Sequence, residues 1–154
     1  MIDIPNFKTL KITHIVCDYN GTIATDGTVH STIKILFEKL SINYKIHVIT
    51  ADTFGSVHKQ LENYPVIIKV LKSNNHTQEK ADYLISLDAS ESVAIGNGNN
   101  DADMLKEATI GIALLGDEGC AGDTLVNADL VCKSIEDALE LFLYPKRLIA
   151  TLRK

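Results

Sequence analysis

Val16-Cys17-Asp18-Tyr19-Asn20-Gly21-Thr22 is the stretch from which the fold is read. The run leading into it, residues 12–17, is nearly continuous in β-branched residues and does not alternate, the pattern of a strand buried on both faces. It stops on a carboxylate and then reaches a glycine. In a parallel α/β sheet, ligands bind beyond the carboxyl ends of strands, so Asp18 falls where chemistry is done. Asp-x-Asn-Gly is also common turn chemistry, and alone the stretch reads as a turn. Three later stretches repeat the layout and shift the reading to a site.

Working outward, residues 45–49 read as a second buried strand ending at Thr50-Ala51-Asp52, with Asp52 capping a helix to about residue 63. Further strands are expected at 65–71, 92–95, 110–115 and 129–132. Helices are expected from Ser31 or Thr32 to 40, then at 77–87, after Asp101 to 108, and at 135–143. A short helix lies before residue 129, and Pro145 opens a last amphipathic segment with Leu148, Ile149 and Leu152. Residues 2–4 and 7–12 around Pro5-Asn6 read as an edge hairpin. Residues 19–29 read as a loop and flap, with Asp26-Gly27 as its turn. Strands alternating with helices mean an α/β, doubly wound, mostly parallel sheet. Residues 1–154 are expected to form a single domain, with the flap and no cap domain.

Composition narrows the function. The 154 residues are 45% hydrophobic and 23% charged, ordinary for a globular protein. A net charge of −5 argues against a nucleic-acid-binding surface. The basic Lys146-Arg147 and Arg153-Lys154 pairs, interleaved with apolar residues, read as a docked amphipathic helix. No apolar run approaches the ~18 residues that span a bilayer. The first residues carry no secretory pattern, and the three cysteines are widely spaced, so a cytoplasmic protein with reduced thiols is expected. Zinc is not expected, since there is no Cys-x-x-Cys and the five histidines are scattered.

The strand ends carry the chemistry. Asp18 is a candidate nucleophile. Thr50 offers a hydroxyl and neighbouring N–H groups at a helix start, a ready phosphate site. Asn97-Gly98-Asn99-Asn100-Asp101 is a tight polar loop ending in a carboxylate, suited to a hard cation. Lys80 falls in the first turn of its expected helix, where a cation opposes the helix dipole; reaching back to a phosphate explains that placement, and a solvated surface lysine is the plainer alternative. Other motifs fail. Gly96-x-Gly98 lacks the third glycine of a dinucleotide fingerprint, no Gly-x-x-x-x-Gly-Lys occurs, and an EF-hand frame from Asn97 puts Ala102 and Ala108 where Gly and Glu are needed.

The four stretches, in this order across residues 12–105, resemble the signature motifs of the haloacid dehalogenase-like superfamily of phosphotransferases. Within it, Asp18-Tyr19-Asn20-Gly21-Thr22 is similar to the Asp-Lys-Thr-Gly-Thr of the P-type ATPase phosphorylation domain. Residues 96–102 are similar to its Gly-Asp-Gly-x-Asn-Asp-Ala, and the likeness continues through Gly111-Ile112-Ala113 and Ala128-Asp129-Leu130-Val131. The resemblance implies a Rossmann-like core and a mechanism in which Asp18 attacks phosphorus and forms an aspartyl-phosphate. It implies Mg²⁺ as cofactor, held by Asp18, Asn20, Asn97 and Asp101, and a phosphate cradle of Gly21, Thr22, Thr50, Ala51, Lys80 and Asn100. A phosphorylated small molecule is the expected substrate, nucleotides included, and a capless chain of this kind is expected to form a homo-oligomer.

Two residues depart from the pattern. Asn20 stands where family phosphatases carry an acid–base Asp, a role typically worth ~10²–10⁴ in rate. Anhydride, acyl and aryl phosphates, whose leaving groups need no proton, are therefore the expected substrates. Asn97 replaces a metal-binding Asp, so weaker Mg²⁺ binding is expected. A rival reading is a phosphate-binding or regulatory protein that no longer turns over. The interval between the first two motifs leaves no room for the nucleotide-binding domain of the pumps.

Overall fold

The computed structural model describes residues 1–52 and 55–154. Six strands form one sheet: β3 (His14–Asp18), β6 (Lys45–Thr50), β7 (Val66–Val70), β8 (Ser92–Gly96), β9 (Ile110–Leu114) and β10 (Leu130–Cys132). Their spatial order is β10-β9-β8-β3-β6-β7, and every neighbouring pair is parallel. The chain builds outward from β3 through β6 to β7, returns to the other side of β3 at β8, and builds outward again. The carboxyl ends of β3 and β8 therefore flank the point where strand order reverses, the crevice in which such sheets bind ligands.

The central strands β3, β6, β8 and β9 are buried on both faces, as the unbroken apolar runs require, while Ile67 on β7 and Val131 on β10 are exposed at the edges. On one face Ile15, Cys17, Ile46, Val48, Val93, Ile95, Ile110 and Ile112 pack with α1 (Ile33–Leu40), α6 (Ile135–Leu143) and α7 (Pro145–Leu152) through Phe37, Leu139, Phe142 and Leu148. Val16, Ile49, Ala94 and Ala113 point to the other face, against α3 (His76–Ser86) and α4 (Ala102–Glu107) through Leu84, Met104 and Leu105. Small residues on this second face let α4 lie close: a Cβ on Gly111 would fall 2.9 Å from the Leu105 carbonyl carbon.

Several expectations are adjusted. β1 (Ile2–Ile4) and β2 (Lys8–Leu10) form the expected hairpin, but as a separate two-stranded sheet rather than on the edge of the main one. Asn6 Nδ2 donates to the Lys154 carbonyl and Lys154 N to that of Pro5, holding the hairpin against the chain's last residues. The flap is β4 (Ala24–Thr25) and β5 (Thr28–Val29), with positive φ at Asp26 and Gly27, the geometry of a primed hairpin turn. Thr32 is the N-cap of α1, yet its hydroxyl donates to Glu136 Oε1 on α6 instead of capping. α2 (Ser56–Gln60) is shorter than the helix expected to run to residue 63, and Asp52 does receive Val57 N and the Ser56 hydroxyl. Residues 53 and 54, on which the expected start of that helix falls, lie outside the described residues. The short helix is α5 (Gly122–Val126). Asn75 caps α3 by accepting from Gln78 N, one residue earlier than expected, so Lys80 is the fifth helical residue and not in the first turn.

Candidate active site

Lys80 is the hub of the strand ends. Its Nζ lies 2.9 Å from Asp18 Oδ1, 2.8 Å from Asn100 Oδ1 and 2.8 Å from Asp101 Oδ1. The side chain is only 3% exposed, so the ammonium depends on these three acceptors in place of water. Burial alone would lower its pKa; Asp18 and Asp101 outweigh burial and hold it above the ordinary lysine value. Asp101 is fully buried behind it. Its second oxygen accepts Asn97 N at 3.1 Å and Gly98 N at 3.0 Å, so the loop's own amides fix the carboxylate. Gly96 is required here, since a Cβ would sit 2.5 Å from Asp101 Cγ.

Asp18 ends β3 with Oδ1 accepting from Lys80, and it lines an open cleft of about 230 Å³. Burial first, and then the facing Asp101, raise its carboxyl well above the usual range, against the pull of Lys80. Two carboxylates sharing one ammonium leave a negative balance at the base of the cleft. Thr50 and Ala51 bring the end of β6 to the same wall, and the Thr50 hydroxyl accepts Asp52 N at 3.0 Å. Gly21 has φ +76°, a left-handed conformation open to glycine. A Cβ there would fall 2.8 Å from Asn97 Cγ, so Gly21 also makes room for Asn97. Thr22 is buried beside them, its hydroxyl 3.5 Å from Asn97 Oδ1. Asn97 Nδ2 donates to the Gly119 carbonyl at 3.1 Å, a bond that a carboxylate at this position would lose.

The structure brings most of the residues singled out in the sequence to one crevice. Asp18, Asn20, Thr50, Ala51, Lys80, Asn97 and Asn100 line the cleft and Asp101 is buried against Lys80, whereas Gly21 and Thr22 line a separate small cavity with Gly116 and Ile135. His76, the first residue of α3, also lines the cleft and was missed. A single histidine at a loop–helix junction has no periodic or motif signal; only its position four residues before Lys80 pointed to it.

Oxygen donors dominate the cleft, which fits a hard cation that keeps several of its waters. The Asp18 carboxylate, the Asn20 backbone carbonyl and the Asn97 amide oxygen belong to residues that line it and are the donors at hand. Among the described residues no cluster of three His, Cys, Asp or Glu is able to hold a metal, because amides stand at 20 and 97. Such a donor set fits a hard divalent cation held through few charges.

No protein-family model matches the chain. An uncharacterized protein of Methanocaldococcus jannaschii is 52% identical over 61 residues, 40% of this chain and 66% of that protein, so the chain spans just under two thirds of that relative's length. The 3-deoxy-D-manno-octulosonate 8-phosphate phosphatase of Moraxella catarrhalis, solved with magnesium, phosphate and 3-deoxy-D-manno-octulosonate, superimposes with a TM-score of 0.73 at 16% identity, covering 93% of this chain and 94% of that one. A Legionella pneumophila protein described as a subfamily III A hydrolase of the haloacid dehalogenase superfamily gives a TM-score of 0.73 at 14% identity, covering 91% and 86%. The strand order, the crevice and these likenesses agree: this chain has the fold of the haloacid dehalogenase-like superfamily.

Proposed function

We propose that the chain is a Mg²⁺-dependent phosphoryl-transfer hydrolase of this superfamily, acting through an aspartyl-phosphate on Asp18. The observation that carries the reading is the Lys80 ammonium, buried against Asp18, Asn100 and Asp101 at the switch point of the sheet. A buried lysine beside the Asp18 carboxylate offsets part of the charge that otherwise keeps a phosphate away, and a divalent cation would offset the rest. Asp18 attacks phosphorus in line. The Thr50 hydroxyl, the N–H groups near Ala51, the Asn100 amide and Lys80 hold the phosphoryl oxygens, and this positioning supplies most of the catalysis. Mg²⁺, held by Asp18, Asn20 and Asn97, would offset charge between carboxylate and phosphate. Asp101, expected among the metal ligands, has both oxygens engaged by Lys80 and the amides of Asn97 and Gly98, and so acts through Lys80, whose position it fixes.

Asn20 neither gives nor takes a proton, so leaving groups that need none, as in anhydride, acyl and aryl phosphates, react fastest. A phosphorylated small molecule, nucleotides among them, fits an open cleft of this size. The amides at 20 and 97 also favour a second reading, a phosphate-binding protein without turnover. The two separate in one experiment. The protein is incubated briefly with Mg²⁺ and acetyl phosphate or nitrophenyl phosphate, quenched in acid, and the Asp18 peptide is weighed beside an Asp18→Asn control. A phosphoryl adduct absent from the control is expected; neither adduct nor phosphate release would leave the binding protein standing.

A further inference from the structure

We infer that His76 is the general acid–base of this cleft, giving the proton to the leaving group and later taking one from the attacking water. The inference rests on the reading of Asp18 as nucleophile. Three titratable side chains line the cleft among the described residues: Asp18, Lys80 and His76. Asp18 is the nucleophile, and Lys80 is held by three acceptors. His76 is half-buried on the cleft wall and, among the described residues, has no hydrogen-bond or ion-pair partner. The other polar side chains lining the cleft are the amides of Asn20, Asn97 and Asn100 and the Thr50 hydroxyl.

Position follows from the helix. Residues four apart share a helix face, so His76 lies on the face that presents Lys80, about 6 Å nearer the N-terminus of α3 at ~1.5 Å rise per residue. Lys80 reaches inward to Asp18, which places His76 on the mouth side. In an in-line displacement the leaving oxygen departs on the side of phosphorus away from the nucleophile, toward that same mouth. The Asn75 cap and Glu79, which accepts both Lys72 N and Ser73 N, fix the first turn of α3 and so the base of this side chain.

The steps balance. Asp18 oxygen bonds to phosphorus, the bond from phosphorus to the leaving oxygen breaks, and that oxygen takes the His76 imidazolium proton. Neutral His76 then removes a proton from water as the water oxygen attacks the aspartyl-phosphate. The bond from phosphorus to Asp18 breaks, inorganic phosphate leaves, and the imidazolium is restored. An imidazole suits both halves because its ring nitrogen can give a proton and then take one.

The test compares ethyl phosphate, whose alkoxide leaving group needs a proton, with acetyl phosphate, which needs none, in wild type, His76→Gln and His76→Ala. The ethyl-to-acetyl ratio of kcat/KM should fall about 10²-fold in both variants, the low end of general acid contributions, and added imidazole should restore it in His76→Ala. An unmoved ratio overturns the role of His76 and leaves Asp18 as nucleophile. Equal loss on both substrates without imidazole rescue overturns it too, since that marks a binding or folding role. Wild-type protein giving neither an Asp18 adduct nor phosphate from acetyl phosphate overturns the reading of Asp18, and the inference falls with it.

Discussion

Asn97 sits where its two amide atoms do different work: the oxygen faces Thr22 and the cleft, and the nitrogen donates to the Gly119 carbonyl. Asn97→Asp sets a carboxylate against that carbonyl and loses the donor, which should cost about 1–3 kcal/mol. The same change adds the charge that a hard cation seeks. Urea unfolding without metal should show the loss, and millimolar Mg²⁺ should recover more stability in Asn97→Asp than in wild type. Equal Mg²⁺ effects on the two would count against position 97 as a ligand. Single residues were legible where a short motif at a strand end declares its chemistry: Asp18, Thr50 and the Asn97 loop. Asp101 was legible as a site residue, but its ties to Lys80 Nζ and the 97–98 amides were not, since they join residues distant in sequence. His76 escaped altogether.

At the level of the element, α3 depends on a clamp in the loop before it. Glu79 takes Ser73 N at 2.7 Å and Lys72 N at 3.0 Å, with Lys69 Nζ at 3.7 Å. The Ser73 backbone bond foremost, with the Ser73 side chain, Lys72 and Lys69, lowers its carboxyl from 4.5 to about 2. The folded value is depressed, so the stabilisation is complete above the unfolded value and fades as pH falls from 4.5 toward about 2. Glu79→Ala should speed amide exchange at Lys72 and Ser73 and lower the melting temperature at neutral pH. It should also slow phosphoryl transfer, because the first turn carrying His76 and Lys80 loosens. Unchanged exchange at the two amides would refute the clamp. The sequence located α3 through its apolar spacing but started it one residue late. Asn75 carries no cap signal in the sequence, because a cap is distinguished from a turn by where its side chain points.

Across the whole molecule, alternation of strands and helices gave the doubly wound class from local pattern. The order β10-β9-β8-β3-β6-β7 depends on pairings between distant segments that local periodicity does not encode. One such pairing aligns β3 with β6 and makes a polar chain inside the fold: His14 Nδ1 lies 3.0 Å from His47 Nε2, and His47 Nδ1 lies 2.8 Å from the Tyr83 hydroxyl on α3. The scattered histidines, read singly, gave no hint of this. Burial foremost, with His14 and Lys45 adding repulsion, lowers the His47 pKa from 6.5 to about 4. Between those values the unfolded chain binds more protons than the folded one, so stability falls as pH drops from 6.5 toward about 4. The full effect of the 2.5-unit difference is about 3 kcal/mol at ~1.4 kcal/mol per unit. Asp18, with a raised carboxyl, has the opposite slope over part of this range, so wild type alone would understate the histidine. The difference between wild type and His47→Gln cancels Asp18, which both share. Urea unfolding free energies measured from pH 8 to pH 4 should drop by about 3 kcal/mol more in wild type than in His47→Gln. Parallel curves would mean that the imidazole accepts its proton inside the fold without cost, and that the chain through His14 and Tyr83 accommodates the charge.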